Sequence, residues 1–136
     1  MSRKKKVQED KKKLILLVED DIFLSGMYKT KLELEEYKVV VAEDGEKGFA
    51  LIKRYKPNLV LLDIVLPKMS GFEVLKRMKK NRELSMIPVI LLTNLSQKED
   101  VQKGVVLGVD DYLIKAHYMP FEVVTKIKKF LDSKKS

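Results

Sequence analysis

The chain has 136 residues, 35% of them charged and 45% hydrophobic, with a formal net charge of +8, no cysteine and a single histidine, His117. That length suits one domain with a proper core. The missing thiols exclude a disulfide framework, a thiolate metal site and a cysteine nucleophile, and one imidazole excludes a multi-histidine metal centre.

Residues 1–13 form a polar leader with seven basic side chains against Glu9 and Asp10, a balance of +5 that leaves +3 for the rest of the chain. It reads as a disordered extension; an arm for nucleic acid or anionic lipid is the alternative. No aromatic residue is interleaved to stack on bases, so nucleic-acid binding is not expected. The apolar stretch that follows, Leu14–Val18, stops at Glu19-Asp20-Asp21, too short for a signal sequence or a span. A cytoplasmic protein without membrane insertion is the expectation.

From there strand and helix signals alternate. Leu14–Val18 predicts a first strand, and a helix follows from about Ile22 to Glu36, with Leu24, Tyr28, Lys31 and Glu35 on one stripe and Met27 and Leu32 beside it. Val39–Ala42 predicts the second strand. Asp44 caps a helix to about Tyr55, and Lys56-Pro57-Asn58 turns the chain into the third strand, Leu59–Leu62. Ser70-x-x-Glu73 has the spacing of a capping box and opens the third helix; Ser96-x-x-Glu99 repeats it. Pro88 precedes the fourth strand, Val89–Leu92, and the next helix runs from about Gln97 to Gly108, a residue suited to a left-handed C-cap. Tyr112–Ile114 is the fifth strand. The last helix starts near Pro120, with Val123, Val124, Ile127, Phe130 and Leu131 as its inner face.

Five βα units predict an α/β fold, a doubly wound five-stranded parallel sheet with helices on both faces and the flavodoxin-like order 2-1-3-4-5. The domain is expected over residues 14–132, with a polar tail at 133–136. In such a sheet ligand chemistry collects beyond the carboxyl ends of the strands at the switch point, here between the first and third. The strands end on Glu19-Asp20-Asp21, Asp63, Thr93 and Lys115, so several acids, a hydroxyl and an ammonium should share one crevice.

Carboxylates that close repel one another unless a cation intervenes. Mg²⁺ suits the conflict, because it takes oxygen ligands and is commonly held by one or two carboxylates plus phosphate oxygens. Asp63, alone at the end of an apolar strand, can be a nucleophile toward phosphorus. Thr93 can donate to one phosphoryl oxygen and Lys115 can pair with another.

These residues resemble the receiver domain of two-component response regulators. Leu-Leu-Val-Glu19-Asp20-Asp21 is similar to its acidic motif, Leu-Val-Leu-Leu-Asp63 with Pro67 and Gly71 to its phosphoacceptor motif, Ile-Leu-Leu-Thr93 to its switch hydroxyl, and Gly-Val-Asp-Asp-Tyr-Leu-Ile-Lys115 to its closing motif. Asp20, Asp63, Thr93 and Lys115 follow one another at intervals of 43, 30 and 22 residues, which also agree. The resemblance implies that Asp63 accepts a phosphoryl group from a histidine kinase or histidine phosphotransfer protein. It implies Mg²⁺ held by Asp20 and Asp63, by Glu19 mainly through water, and by the backbone carbonyl of Val65. It implies a switch in which Thr93 moves inward and Tyr112 follows, although Tyr112 can also be read as a plain core residue. Output is expected from phosphorylation-dependent protein binding through the fourth helix, fifth strand and fifth helix, as a stand-alone monomer or a phosphorylation-dependent dimer.

The departures are as specific. Ala116 stands where many members have a proline, so a different loop or a strained peptide follows Lys115. His117 reads as an exposed loop residue. Val65 and Leu95 offer no polar group to hold a hydrolytic water, which predicts slow self-dephosphorylation, and Asn94 replaces a small residue and would shield the phosphoryl group. A turnover enzyme is not expected: an aspartate-nucleophile phosphatase needs an acid where Val65 stands. An adaptor that takes no phosphate is the other alternative.

Overall fold

A computed structural model describes residues 12–134. The leader, apart from Lys12 and Lys13, and the last two residues of the expected tail lie outside the described residues. The elements are β1 (Leu14–Val18), α1 (Ile22–Leu34), β2 (Lys38–Ala42), α2 (Gly45–Tyr55), β3 (Leu59–Leu62), α3 (Gly71–Lys80), β4 (Val89–Thr93), α4 (Lys98–Val106), β5 (Asp111–Ile114) and α5 (Pro120–Ser133). Single helical turns occur at Leu84–Met86 and Lys115–His117.

All strands are parallel, in the order β2-β1-β3-β4-β5. β3 is buried on both faces, which is why its four residues are uniformly apolar instead of alternating. Side chains of the sheet divide by the two-residue period of a strand. Leu16, Val18, Val60, Leu62 and Leu91 face Ile52, Val74, Leu75 and Met78 of α2 and α3. Ile15, Leu17, Leu59, Leu61, Ile90, Leu92 and Leu113 face Tyr28 and Leu32 of α1 and Val123, Val124, Ile127 and Leu131 of α5. Each fully buried aliphatic side chain contributes about 2 kcal/mol of transfer free energy, so this double layer holds the strand ends in place.

Helix ends follow the predicted chemistry in part. Asp21 and Asp44 cap α1 and α2 by accepting from Leu24 N (3.0 Å) and Lys47 N (2.7 Å). Ser70 caps α3 through Glu73 N, while the Glu73 carboxylate accepts from Arg77 one turn on. Gly108 adopts the left-handed conformation expected of it, with φ 83°.

Three expectations are corrected. The Ser96 capping box does not form: α4 starts at Lys98 behind Gln97, which makes no side-chain cap. Both backbone groups of Leu95 are engaged, by Thr93 Oγ1 and by the Tyr112 hydroxyl, and the helix begins beyond them. The inward stripe of α1 is narrower than predicted. Tyr28 and Leu32 are buried with Ser25, whereas Met27 and Glu35 are exposed, because the helix turns only these positions, three and four residues apart, toward β2 and α5. Finally β4 extends through Thr93, and β2 and β5 each start one residue earlier than predicted.

Candidate functional site

The carboxyl ends of β1, β3, β4 and β5 surround a cleft of about 450 Å³ lined by Glu19, Asp20, Asp63, Thr93, Asn94 and Lys115, with Asp21, Leu24, Val65 and Leu95 at its edges. The backbone ladder positions the acids: Glu19 N donates to Ala42 O (2.9 Å) and Asp63 N to Val18 O (3.0 Å), so β1 continues into Glu19 and β3 into Asp63. Glu19, Asp63 and Thr93 are buried, and Asp20 is exposed.

Close backbone approach behind Asp63 explains Gly71. A Cβ there would overlap the Asp63 carbonyl oxygen and come within 2.8 Å of Ile64 Cα. Only glycine lets α3 begin this near the strand end. The chain between them, Ile64 to Ser70, bends through Lys68 at φ 69°.

Charge in the cleft converges on Lys115. Its ammonium donates to Asp63 Oδ2 at 2.7 Å and lies 2.5 Å from Glu19 Oε1. The second contact is an ion pair that leaves Glu19 Oε1 fully buried against the ammonium. Burial opposes the charge on Lys115, but hydrogen bonds and attraction from Asp63 and Glu19 outweigh it and raise its pKa above the ordinary lysine value. Burial raises the Glu19 pKa, and Lys115 and the Asp21 N–H offset only part of the rise. The remaining oxygens are anchored locally, Asp63 Oδ1 by Ile64 N (2.7 Å) and Glu19 Oε2 by Asp21 N (3.0 Å).

One carboxylate oxygen from each of Glu19, Asp20 and Asp63 lies within 4.8 Å of the others. Three hard oxygen donors at that spacing fit a small divalent cation.

Of the residues predicted for the site, Glu19, Asp20, Asp63, Val65, Thr93 and Lys115 all line the cleft. Tyr112 stands behind it. Its hydroxyl donates to Leu95 O at 2.7 Å, and its ring lies where a Cβ on Gly104 of α4 would come within 3.1 Å of it. Burial raises its phenol pKa. His117 is exposed in the turn after β5, as expected. The doubt at residue 116 is resolved, since no described peptide bond is cis and Ala116 N donates to the side chain of Asn94 at 3.0 Å. That bond was not read from the sequence. The two departures at 94 and 116 were its only signal.

The family model of the response regulator receiver domain matches residues 15–128. A probable transcriptional regulator, ycf27, of Cyanophora paradoxa is 37% identical over 90% of this chain and 50% of its own length. The chain thus spans about half the length of the curated relatives it matches. Among solved structures, the manganese-bound form of the response regulator Rcp1 superposes with a TM-score of 0.81 at 33% identity, covering 91% of this chain and 97% of that one. A CheY-like receiver domain protein of Methanospirillum hungatei superposes with a TM-score of 0.82 at 34% identity, covering 90% and 95%. With the sheet order, the acidic cluster and the paired lysine all in place, the chain belongs to the response regulator receiver domain family.

Proposed function

We propose that this receiver domain is a phosphoacceptor whose Asp63 takes a phosphoryl group from a histidine kinase or a histidine phosphotransfer protein. The observation that carries the reading is the ion pairing of Lys115 with Asp63 and Glu19 at the mouth of the cleft. It holds the acceptor carboxylate in place and supplies the cation that a bound phosphoryl group needs.

In the transfer, an Asp63 carboxylate oxygen forms a bond to phosphorus while the P–N bond of the phosphohistidine breaks. The electron pair leaves on the imidazole nitrogen, and no redox partner is involved. Lys115 then pairs with a phosphoryl oxygen and Thr93 donates its hydroxyl to another. Glu19, Asp20 and Asp63, with the backbone carbonyl of Val65, would hold Mg²⁺, which neutralises charge on the phosphoryl oxygens when bound.

Output follows from the seat of Tyr112. Its ring touches α4 through Gly104 and its hydroxyl holds the loop after Thr93, so a movement of Thr93 is passed to α4. The face built from α4, β5 and α5 is where a partner would read it. It exposes Val105 and Val106 of α4, at 65% and 84% of their surfaces. The chemistry is acceptance and not turnover, since Val65, exposed two residues after Asp63, offers no general acid.

Intact mass after incubation with a small-molecule phosphodonor tests the reading, with and without Mg²⁺, on wild type and Asp63→Ala. A Mg²⁺-dependent gain of one phosphoryl group in wild type alone is expected. No gain in wild type, with Mg²⁺ binding intact, would replace this reading with an adaptor role.

A further inference from the structure

The side chain of Asn94 reaches from the end of β4 to the turn after β5, where Oδ1 accepts the Ala116 N–H at 3.0 Å. A backbone N–H is a donor only, so the amide is fixed with oxygen toward Ala116 and its NH₂ group turned away. A proline at 116 has no N–H and could not make this contact. Asn94 also lines the cleft with Asp63, Thr93 and Lys115, and no hydrogen bond among the described residues uses its two N–H donors.

Resting on the phosphoacceptor reading above, we propose that Asn94 is a further phosphoryl-binding residue, its NH₂ group donating to a phosphoryl oxygen on Asp63 and its orientation set by the Ala116 N–H. The ligand class is a tetrahedral phosphoryl group or its tetrahedral beryllofluoride mimic. The donor set then has three side chains, Thr93, Lys115 and Asn94, each from or just beyond the end of a strand. Asn94 does more than shield the site, as its size alone suggests. It holds the group, and it does so while tying the chain beside Lys115 to the chain beside Thr93.

The test uses the full chain with Mg²⁺ and beryllofluoride, a stable phosphoryl mimic, in wild type, Asn94→Ala and Asn94→Asp. Binding is followed by ¹⁹F NMR, and hydrogen exchange is read at the Ala116 amide. Asn94→Ala should bind beryllofluoride more weakly, by on the order of tenfold, the scale of one lost hydrogen bond to a charged group. Its Ala116 amide should also exchange faster. Asn94→Asp keeps an acceptor for Ala116 and so should keep that amide protected, yet it replaces the donors with a carboxylate and should bind more weakly than Asn94→Ala. Wild-type affinity in Asn94→Asp would show that the tie to Ala116 is the whole role and overturn the proposal, as would affinity within twofold of wild type in Asn94→Ala. If wild type itself takes up neither beryllofluoride nor a phosphoryl group, the parent reading fails and this one with it. Uptake by wild type with an unaffected Asn94→Ala sinks this inference alone.

Discussion

Lys115 and Asp63, just beyond the ends of two strands that do not neighbour each other in the sheet, meet through a 2.7 Å hydrogen bond, and the same ammonium lies against Glu19. The side chains are almost fully enclosed, at 10%, 8% and 1% exposure in the order Lys115, Asp63, Glu19. Removing one partner of such a buried group strands the others. Lys115→Met should therefore destabilise the metal-free domain by about 3 kcal/mol. Urea denaturation with and without Mg²⁺ checks this, and the loss should shrink when Mg²⁺ is present.

The same group fixes an alkaline limit. The folded pKa of Lys115 is raised above 10.5, so its stabilising contribution is complete below that value and is lost as pH rises through the folded pKa. Glu19 acts at the other end: with a folded pKa raised above 4.5, it takes up a proton in the native state before the unfolded one as pH falls. Its contribution to stability therefore improves on acidification toward 4.5. A pH series of urea midpoints for Lys115→Met should lack the loss expected of wild type above pH 10.5.

Mg²⁺ should raise the melting temperature of wild type by relieving repulsion among Glu19, Asp20 and Asp63. Asp20→Asn removes one of the three clustered carboxylates from an exposed position, so the fold should be kept and the response to Mg²⁺ should fall. A thermal melt of both proteins over a Mg²⁺ titration gives the comparison. An equal shift in the two would count against Asp20 as a ligand.

Gly71→Ala should cost about 3 kcal/mol or more, because the added methyl meets backbone at Asp63 and Ile64 instead of a side-chain end that can turn away. The displacement falls on Asp63, the proposed phosphoacceptor, so phosphoryl uptake should drop along with stability. Tyr112→Phe offers a milder contrast. It loses one hydrogen bond to Leu95 O, about 1 kcal/mol, and leaves the cleft lining unchanged.

The aspartyl phosphate proposed at Asp63 should be long-lived. Val65 is 62% exposed and Leu95 half-buried at the edges of the cleft, and neither can hold an attacking water in line. Val65→Asn combined with Leu95→Glu should shorten the phosphoryl half-life on the order of tenfold. Loss of label over time, followed by intact mass, measures it, and an unchanged half-life would remove these two positions from the explanation.

The local pattern alone determined five apolar runs, their helical spacers and the polar residue that ends each run, because strand burial and helix periodicity depend on neighbours a few residues apart. Parallel order then placed Asp20 and Asp63 on either side of the switch point, and the crevice was legible before any coordinates. Contacts across long separations were decided by the tertiary structure. Lys115 reaches two acids at once, one of them 52 residues away, and Asn94 meets the Ala116 N–H 22 residues on. The start of α4 beyond Ser96 and the narrow inner face of α1 belong to the same class. A capping spacing or an apolar stripe states what a segment can do alone, whereas the Tyr112 hydroxyl on Leu95 and the packing of α1 against β2 and α5 settle which of those options the folded chain uses.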